Sequence, residues 1–228
     1  MNYATISADV ISYTSLLEKE KRELETGIKD LIFELTKEYE RDSFYGRLVQ
    51  GDYIECALKS PKHALRIALL LKTYIKTFEF NREKRTQNRL KYFNEHGVRL
   101  AVAIAPLEKL DPQSGIIDGE AIYLSGRAIK NLSTSDKQKI VIKNTMFFCS
   151  PDKTIQEQFD ALFSLLDTII SKCSAKQSAV LYYKLLKLSE KEISQKLNKT
   201  QSTISQHSTA AGWLSIEKAV IYFENAIQ

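Results

Sequence analysis

Apolar positions recur along this chain with two periods, and the alternation between them outlines a fold. Tyr3–Ile11 is a β-branched, apolar run of strand length, with one acid, Asp9, near its C-terminal end. From Ser15 to Tyr39 the period turns helical. Leu16, Leu17, Leu24, Ile28, Leu31, Ile32 and Leu35 recur at helical spacings among Glu and Lys. Phe44–Val49 and Tyr53–Leu58 are strand-like runs joined by Gln50-Gly51-Asp52, a short link of the kind that closes a hairpin. Pro61 opens a second helix through Ala64, Ile67, Leu70, Leu71 and Ile75. Asn81–Arg89 is polar and mostly basic and reads as a loop or solvated helix end. Arg82, Lys84, Arg85 and Arg89 are then surface charge before they are nucleic-acid contacts. Gly97–Ala105 is a strand stopped by Pro106, Asp111–Gly119 a loop, Glu120–Leu132 a helix, and Ile140–Cys149 one or two further strands.

After Pro151 the strand pattern stops. Thr154–Ile170 and Ala175–Leu188 are helical, and short helices follow to the end. The order predicts an α+β fold: a ferredoxin-like or palm-type sheet with helices on one face over residues 1–150. A connecting helix lies in 151–173, and an all-α domain occupies 174–228.

Composition changes this picture little. The 228 residues are 43% hydrophobic and 27% charged, ordinary for a globular chain. No segment is long and apolar enough for a membrane span, and no secretion signal opens the chain. Cys56, Cys149 and Cys173 have neither disulfide nor zinc spacing and read as reduced thiols, so a cytoplasmic location is expected. His63, His96 and His207 show no ligand spacing either. Charge is more informative. Of the net +5, +4 falls from Ser171 onward, where eight lysines face four glutamates. A basic C-terminal quarter suits a polyanion, and equally a solvated lysine-rich surface.

Within that quarter, Ser189 and Glu192 form a capping-box pair at a short helix whose inner face carries Ile193 and Leu197. Asn198-Lys199-Thr200 is a tight turn, and Thr200 caps a second helix with Ile204 inward. The segment resembles the helix-turn-helix of bacterial regulators, in which such a polar run starts the recognition helix. Thr200, Gln201, Ser202, Thr203, Ser205 and Gln206 are the candidate DNA-reading residues. Lys196 and Lys199, with Lys184, Lys187 and Lys191, are candidate phosphate contacts. A three-helix protein-interaction module is the alternative, and no Arg stands on the second helix.

The first domain carries a second resemblance. "SADVISYTSL" around Asp9, "QGDYIECAL" around Asp52, and "GVRLAVAIA" followed by "DGEAIYLSGRAIKNLS" are similar, in order and spacing, to blocks of class III nucleotide cyclases. A cyclase-like domain followed by a helix-turn-helix most resembles the SatD-like family of bacterial proteins. The resemblance implies that Asp9 and Asp52 hold Mg²⁺ and that Arg127 faces nucleotide phosphates. It also implies that two substrate contacts are lost: the base-reading lysine falls at Leu48 and the ribose-orienting asparagine at Tyr123. The expectation is a homodimeric regulator of double-stranded DNA whose first domain senses a nucleotide or dimerises. The alternative is a Mg²⁺-dependent nucleotide-binding or cyclase-like enzyme.

Overall fold

The computed structural model describes residues 2–80, 87–132, 135–136, 139–140 and 144–227. In chain order these form β1 (Asn2–Val10), α1 (Glu18–Glu38), β2 (Tyr45–Val49), β3 (Tyr53–Leu58), α2 (Ala64–Ile75) and α3 (Gln87–His96). Next come β4 (Val98–Pro106), β5 (Lys109–Asp111), β6 (Ile116–Asp118), α4 (Glu120–Leu132), β7 (Ser135–Asp136), β8 (Lys139–Ile140) and β9 (Met146–Cys149). The remainder is helical: α5 (Lys153–Ser171), α6 (Ala175–Leu185), α7 (Glu190–Lys196), α8 (Gln201–Ala210) and α9 (Trp213–Ala226).

The main sheet runs β2-β3-β1-β4-β9. Its first four strands are antiparallel, and β9 joins β4 in parallel. This is the split β-α-β order the sequence predicts, with one strand added at an edge. Alternation sets the two faces. Ala4, Ile6 and Ala8 of β1 point toward a core built with Leu24, Ile28 and Leu31 of α1 and Leu65, Ile67 and Leu71 of α2. Thr5 and Ser7 point the other way, and their hydroxyls meet Ser125 of α4 at 3.2 and 2.8 Å. The helices therefore occupy both faces, which corrects the one-face expectation. The small buried stripe Ala121, Ser125, Ala128 lets α4 lie close over Ala101 and Phe147.

Two further elements depart from the pattern reading. Residues 87–96 are helical, anchored by buried Leu90 and Phe93, where only a polar run was legible. Residues 109–118 contain the small β5–β6 hairpin. The basic run at 81–86 and the Arg89 side chain lie outside the described residues.

The C-terminal helices share the main core. Phe159 and Phe163 of α5 and Phe223 of α9 stack around Phe148 of β9. Tyr182 of α6 packs on Tyr74 of α2, and Arg66 of α2 bonds Glu224 of α9 at 2.6 Å. A smaller cluster, Val180, Ile193 and Ile204, ties α6, α7 and α8 together.

Candidate functional site

Asp9 ends the outward-facing row of β1, opposite Tyr53 on β3 and Arg99 on β4. Arg99 Nη1 lies 3.7 Å from Asp9 Oδ2. Among the described residues Arg99 is the ion partner of this acid. Asp52 arrives from the other side, in the turn between β2 and β3, where its carbonyl accepts the Val10 N–H at 2.9 Å. The turn needs glycine at 51. Its φ is +85°, and a Cβ there would come within 2.6 Å of the Tyr13 hydroxyl and 2.8 Å of Glu25 Oε1. Tyr13 donates to Glu25, so this pair is packed directly against the backbone beside Asp52.

Electrostatics follow from that convergence. Burial pushes the Asp9 carboxyl above its ordinary range; Arg99 pulls it back, and the Asp52 charge pushes it up again. Burial raises Asp52 as well, a hydrogen bond from its own backbone N–H to the carboxylate lowers it, and the Glu25 charge adds to the rise. Of the two carboxylates at this sheet end, Asp9 has the Arg99 guanidinium beside it, while Asp52 is faced by a further acid, Glu25. A divalent cation would relieve both, and hard oxygen donors suit Mg²⁺, which takes one or two carboxylates and completes its shell with water and phosphate. Among the described residues no group of three or more His, Cys, Asp and Glu side chains forms a metal cage.

The same sheet face continues into a cleft of about 550 Å³ between β3, the β5–β6 hairpin and α4. Tyr53 and Tyr123 give it aromatic walls, and Arg127 and Lys130 make it cationic. Glu55, on its floor, is held by Arg47 Nε at 2.7 Å, while Arg47 also donates to the Gly115 carbonyl and so pins the hairpin. Tyr123 is exposed and donates to Asp118. Leu48 packs into the opposite, helix-covered core because it pairs with Ile54, so the base-reading position carried over to it does not face the cleft. On β2 the residues that share the face of Tyr53 and Glu55 are Tyr45, Arg47 and Val49.

At the far end of the sequence, α7 and α8 are joined by the four residues 197–200. Thr200 Oγ1 caps α8 by accepting the Thr203 N–H at 3.2 Å. Ile204 and Ser208 are buried, Thr203 is half-buried, and Gln201, Ser202, Ser205 and Gln206 are exposed. Lys191, Lys196 and Lys199 are exposed beside them, and Lys184 is engaged with Glu190 at 3.1 Å.

The structure thus brings Asp9 and Asp52 together and places Arg127 on the adjoining cleft. The sequence reading did not single out Arg99, Tyr13, Glu25, Tyr53, Arg47 or Glu55. Arg47 and Glu55 were legible in principle, since a hairpin centred on Gly51 sets them opposite one another.

No family model matches the sequence, and no curated protein matches it. Solved structures that match part of the chain include two of a bacterial light-regulated adenylyl cyclase. One is 11% identical with a TM-score of 0.43, over 65% of this chain and 43% of that one. The other is 12% identical with a TM-score of 0.43, over 64% of this chain and 74% of that one. This chain therefore spans less than half the length of the first. No helix among the described residues is long and apolar enough to cross a membrane.

Proposed function

We propose that the sheet end carrying Asp9 and Asp52, with the cleft beside it, is a Mg²⁺-dependent nucleotide site of cyclase-like type. One observation carries this reading: partly buried Asp9, with the Asp52 charge acting on it from the adjoining turn, stands on the same sheet face as a cleft with two cations and two aromatic rings. Asp9 and Asp52 would hold the cation, Arg127 and Lys130 would face phosphate oxygens, and Tyr53 or Tyr123 would contact a base or ribose. A bound Mg²⁺ would supply charge neutralisation at the triphosphate. Leucine at 48 and tyrosine at 123 leave binding better supported than turnover. Titration calorimetry with nucleoside triphosphates in Mg²⁺, on the native chain, Asp9→Asn and Arg127→Ala, tests the reading. Saturable binding lost in both variants is expected. No binding of any nucleotide, or equal binding by all three proteins, would overturn it. Assay of the same samples for cyclic product separates an enzyme from a sensor.

A second reading rests on α8. Its exposed row of Gln201, Ser202, Ser205 and Gln206, fixed by the Thr200 cap and flanked by Lys196 and Lys199, has the shape and chemistry of a major-groove helix. On this reading the chain is a cytoplasmic, homodimeric, SatD-like DNA-binding regulator that couples a nucleotide to a promoter. Selection of genomic fragments at about 150 mM salt, where non-specific binding is weak, is the test. One motif enriched by the native protein and lost in Gln201→Ala/Gln206→Ala is expected. Enrichment of nothing would make α7 and α8 an interaction module.

A further inference from the structure

The described residues expose seven large apolar side chains, and four of them, Leu165, Leu214, Ile221 and Tyr222, lie on α5 and α9. A single exposed leucine needs no explanation, but a row of them does. On α9 the core takes Ile216, Val220 and Phe223. Leu214 is 64% exposed and Ile221 is 47% exposed. These two stand seven residues apart, so they fall on one line along the outer side of the helix. Between them, Glu217 and Lys218 flank that line on opposite sides. Lys218 is exposed and has no ion pair among the described residues. Leu214 and Ile221 repeat one apolar position over a heptad, and the acid and base that border it at 217 and 218 can pair across a short helix–helix contact, as charges flanking a coiled-coil seam do.

We propose that this face of α9 binds the same face of a second copy of the chain, with the two helices parallel. The charges select both partner and direction. A two-fold axis along the helices carries each flank to the opposite side of the seam. Leu214 then meets Leu214 of the partner subunit, and Ile221 meets its equivalent. Glu217 meets Lys218 of the partner subunit, and Lys218 meets the partner's Glu217. An axis perpendicular to the helices keeps each flank on its own side and sets acid against acid and base against base. Only the parallel pair is self-complementary. It also sets the two copies of α8, one turn upstream, at the same end of the dimer. The surface itself depends on neither ligand reading.

Sedimentation velocity on the full chain over a range of concentrations tests the proposal, with circular dichroism as a check of folding. The native protein is expected to dimerise, and Leu214→Asp/Ile221→Asp to be a folded monomer. Lys218→Glu, which turns both cross-seam pairs into acid against acid, should weaken the dimer at least several-fold. The exchanged variant Glu217→Lys/Lys218→Glu should restore it. A native protein that stays monomeric overturns the proposal, as does a double-aspartate variant that still dimerises. Indifference to Lys218→Glu, or failure of the exchanged variant to recover, overturns the parallel pairing.

Discussion

Lys72 has no exposed surface, yet its ammonium meets four oxygens: Thr145 Oγ1 at 2.7 Å, Asp167 Oδ1 and the Val98 carbonyl at 3.1 Å, and the His96 carbonyl at 3.4 Å. Burial pushes its pKa down while Asp167 works against the loss of charge. For Asp167, burial pushes up, but Lys72 and the Thr145 hydrogen bonds prevail and hold the carboxyl below its ordinary value. Removing one member leaves a buried charge alone, so Asp167→Ala should cost ~3–5 kcal/mol in urea unfolding. Lys72→Met/Asp167→Leu should cost far less, because the desolvation penalty disappears with both ions. Asp9 behaves in the opposite way. Its folded pKa lies above its unfolded one, so its contribution is present below the unfolded value of 3.8 and is lost as pH rises through the folded value. At neutral pH the acid therefore weighs against the fold. Asp9→Asn should raise the melting temperature there while abolishing stabilisation by Mg²⁺, which differential scanning calorimetry with and without the cation will show. A substitution that lowers the melting temperature would make the acid structural.

Between elements, Lys76 plays a comparable part at two helix ends at once. Its ammonium donates to the Asn94 and Glu95 carbonyls at the end of α3 and to the Ser171 carbonyl at the end of α5. Those are carbonyls that a helix cannot satisfy internally, at the pole where a cation is favoured. Burial and the nearby Lys72 charge bring its pKa down to about 8. Between that value and the unfolded 10.5 the unfolded chain binds more protons, so this lysine makes stability rise with pH across the window. Native protein and Lys76→Met should therefore differ in the pH slope of unfolding free energy above pH 8, the native slope being the more positive. Equal slopes would contradict the assignment. At α8 the determinant is local: Thr200→Ala removes the hydroxyl that accepts the Thr203 N–H and should cost ~1 kcal/mol. That cap was legible from a threonine in front of a polar helix. By contrast, α3 was not legible, because its visible pattern is charged and its anchors Leu90 and Phe93 are recognisable only once Phe80 is seen packed against Phe93.

For the whole molecule, the stacking of Phe148, Phe159, Phe163 and Phe223 makes the sheet edge, α5 and α9 parts of one apolar cluster. The Arg66–Glu224 pair closes the same junction: burial pushes the Glu224 carboxyl up, but bonds from His63 and Arg66 bring it down to about 2. A shared core implies shared cooperativity. Far-UV circular dichroism, dominated by all the helices, and fluorescence of Trp213, at the start of α9, should report one coincident thermal transition. Phe223→Ala should lower both together, at a cost of ~3–5 kcal/mol. Separate transitions would mean that the helical tail unfolds on its own.

The hydrophobic periods alone determined the strand and helix order up to the hairpin and through the C-terminal helices, because amphipathic period and burial are the same fact read twice. The spacing of Thr200, Ile204 and Ser208 likewise set the exposed row of α8, since a helix fixes its own faces. Asp9 and Asp52 were visible as unusual acids, but forty-three positions separate them, and only the antiparallel register of β1 with β3 makes them neighbours. Tertiary structure decided the rest for the same reason. The side of the sheet that α4 covers, the choice of Arg99 as Asp9's partner, and the turning of Leu48 into the core all depend on which strand lies beside which. That is settled by long-range pairing, of which a local pattern carries no trace.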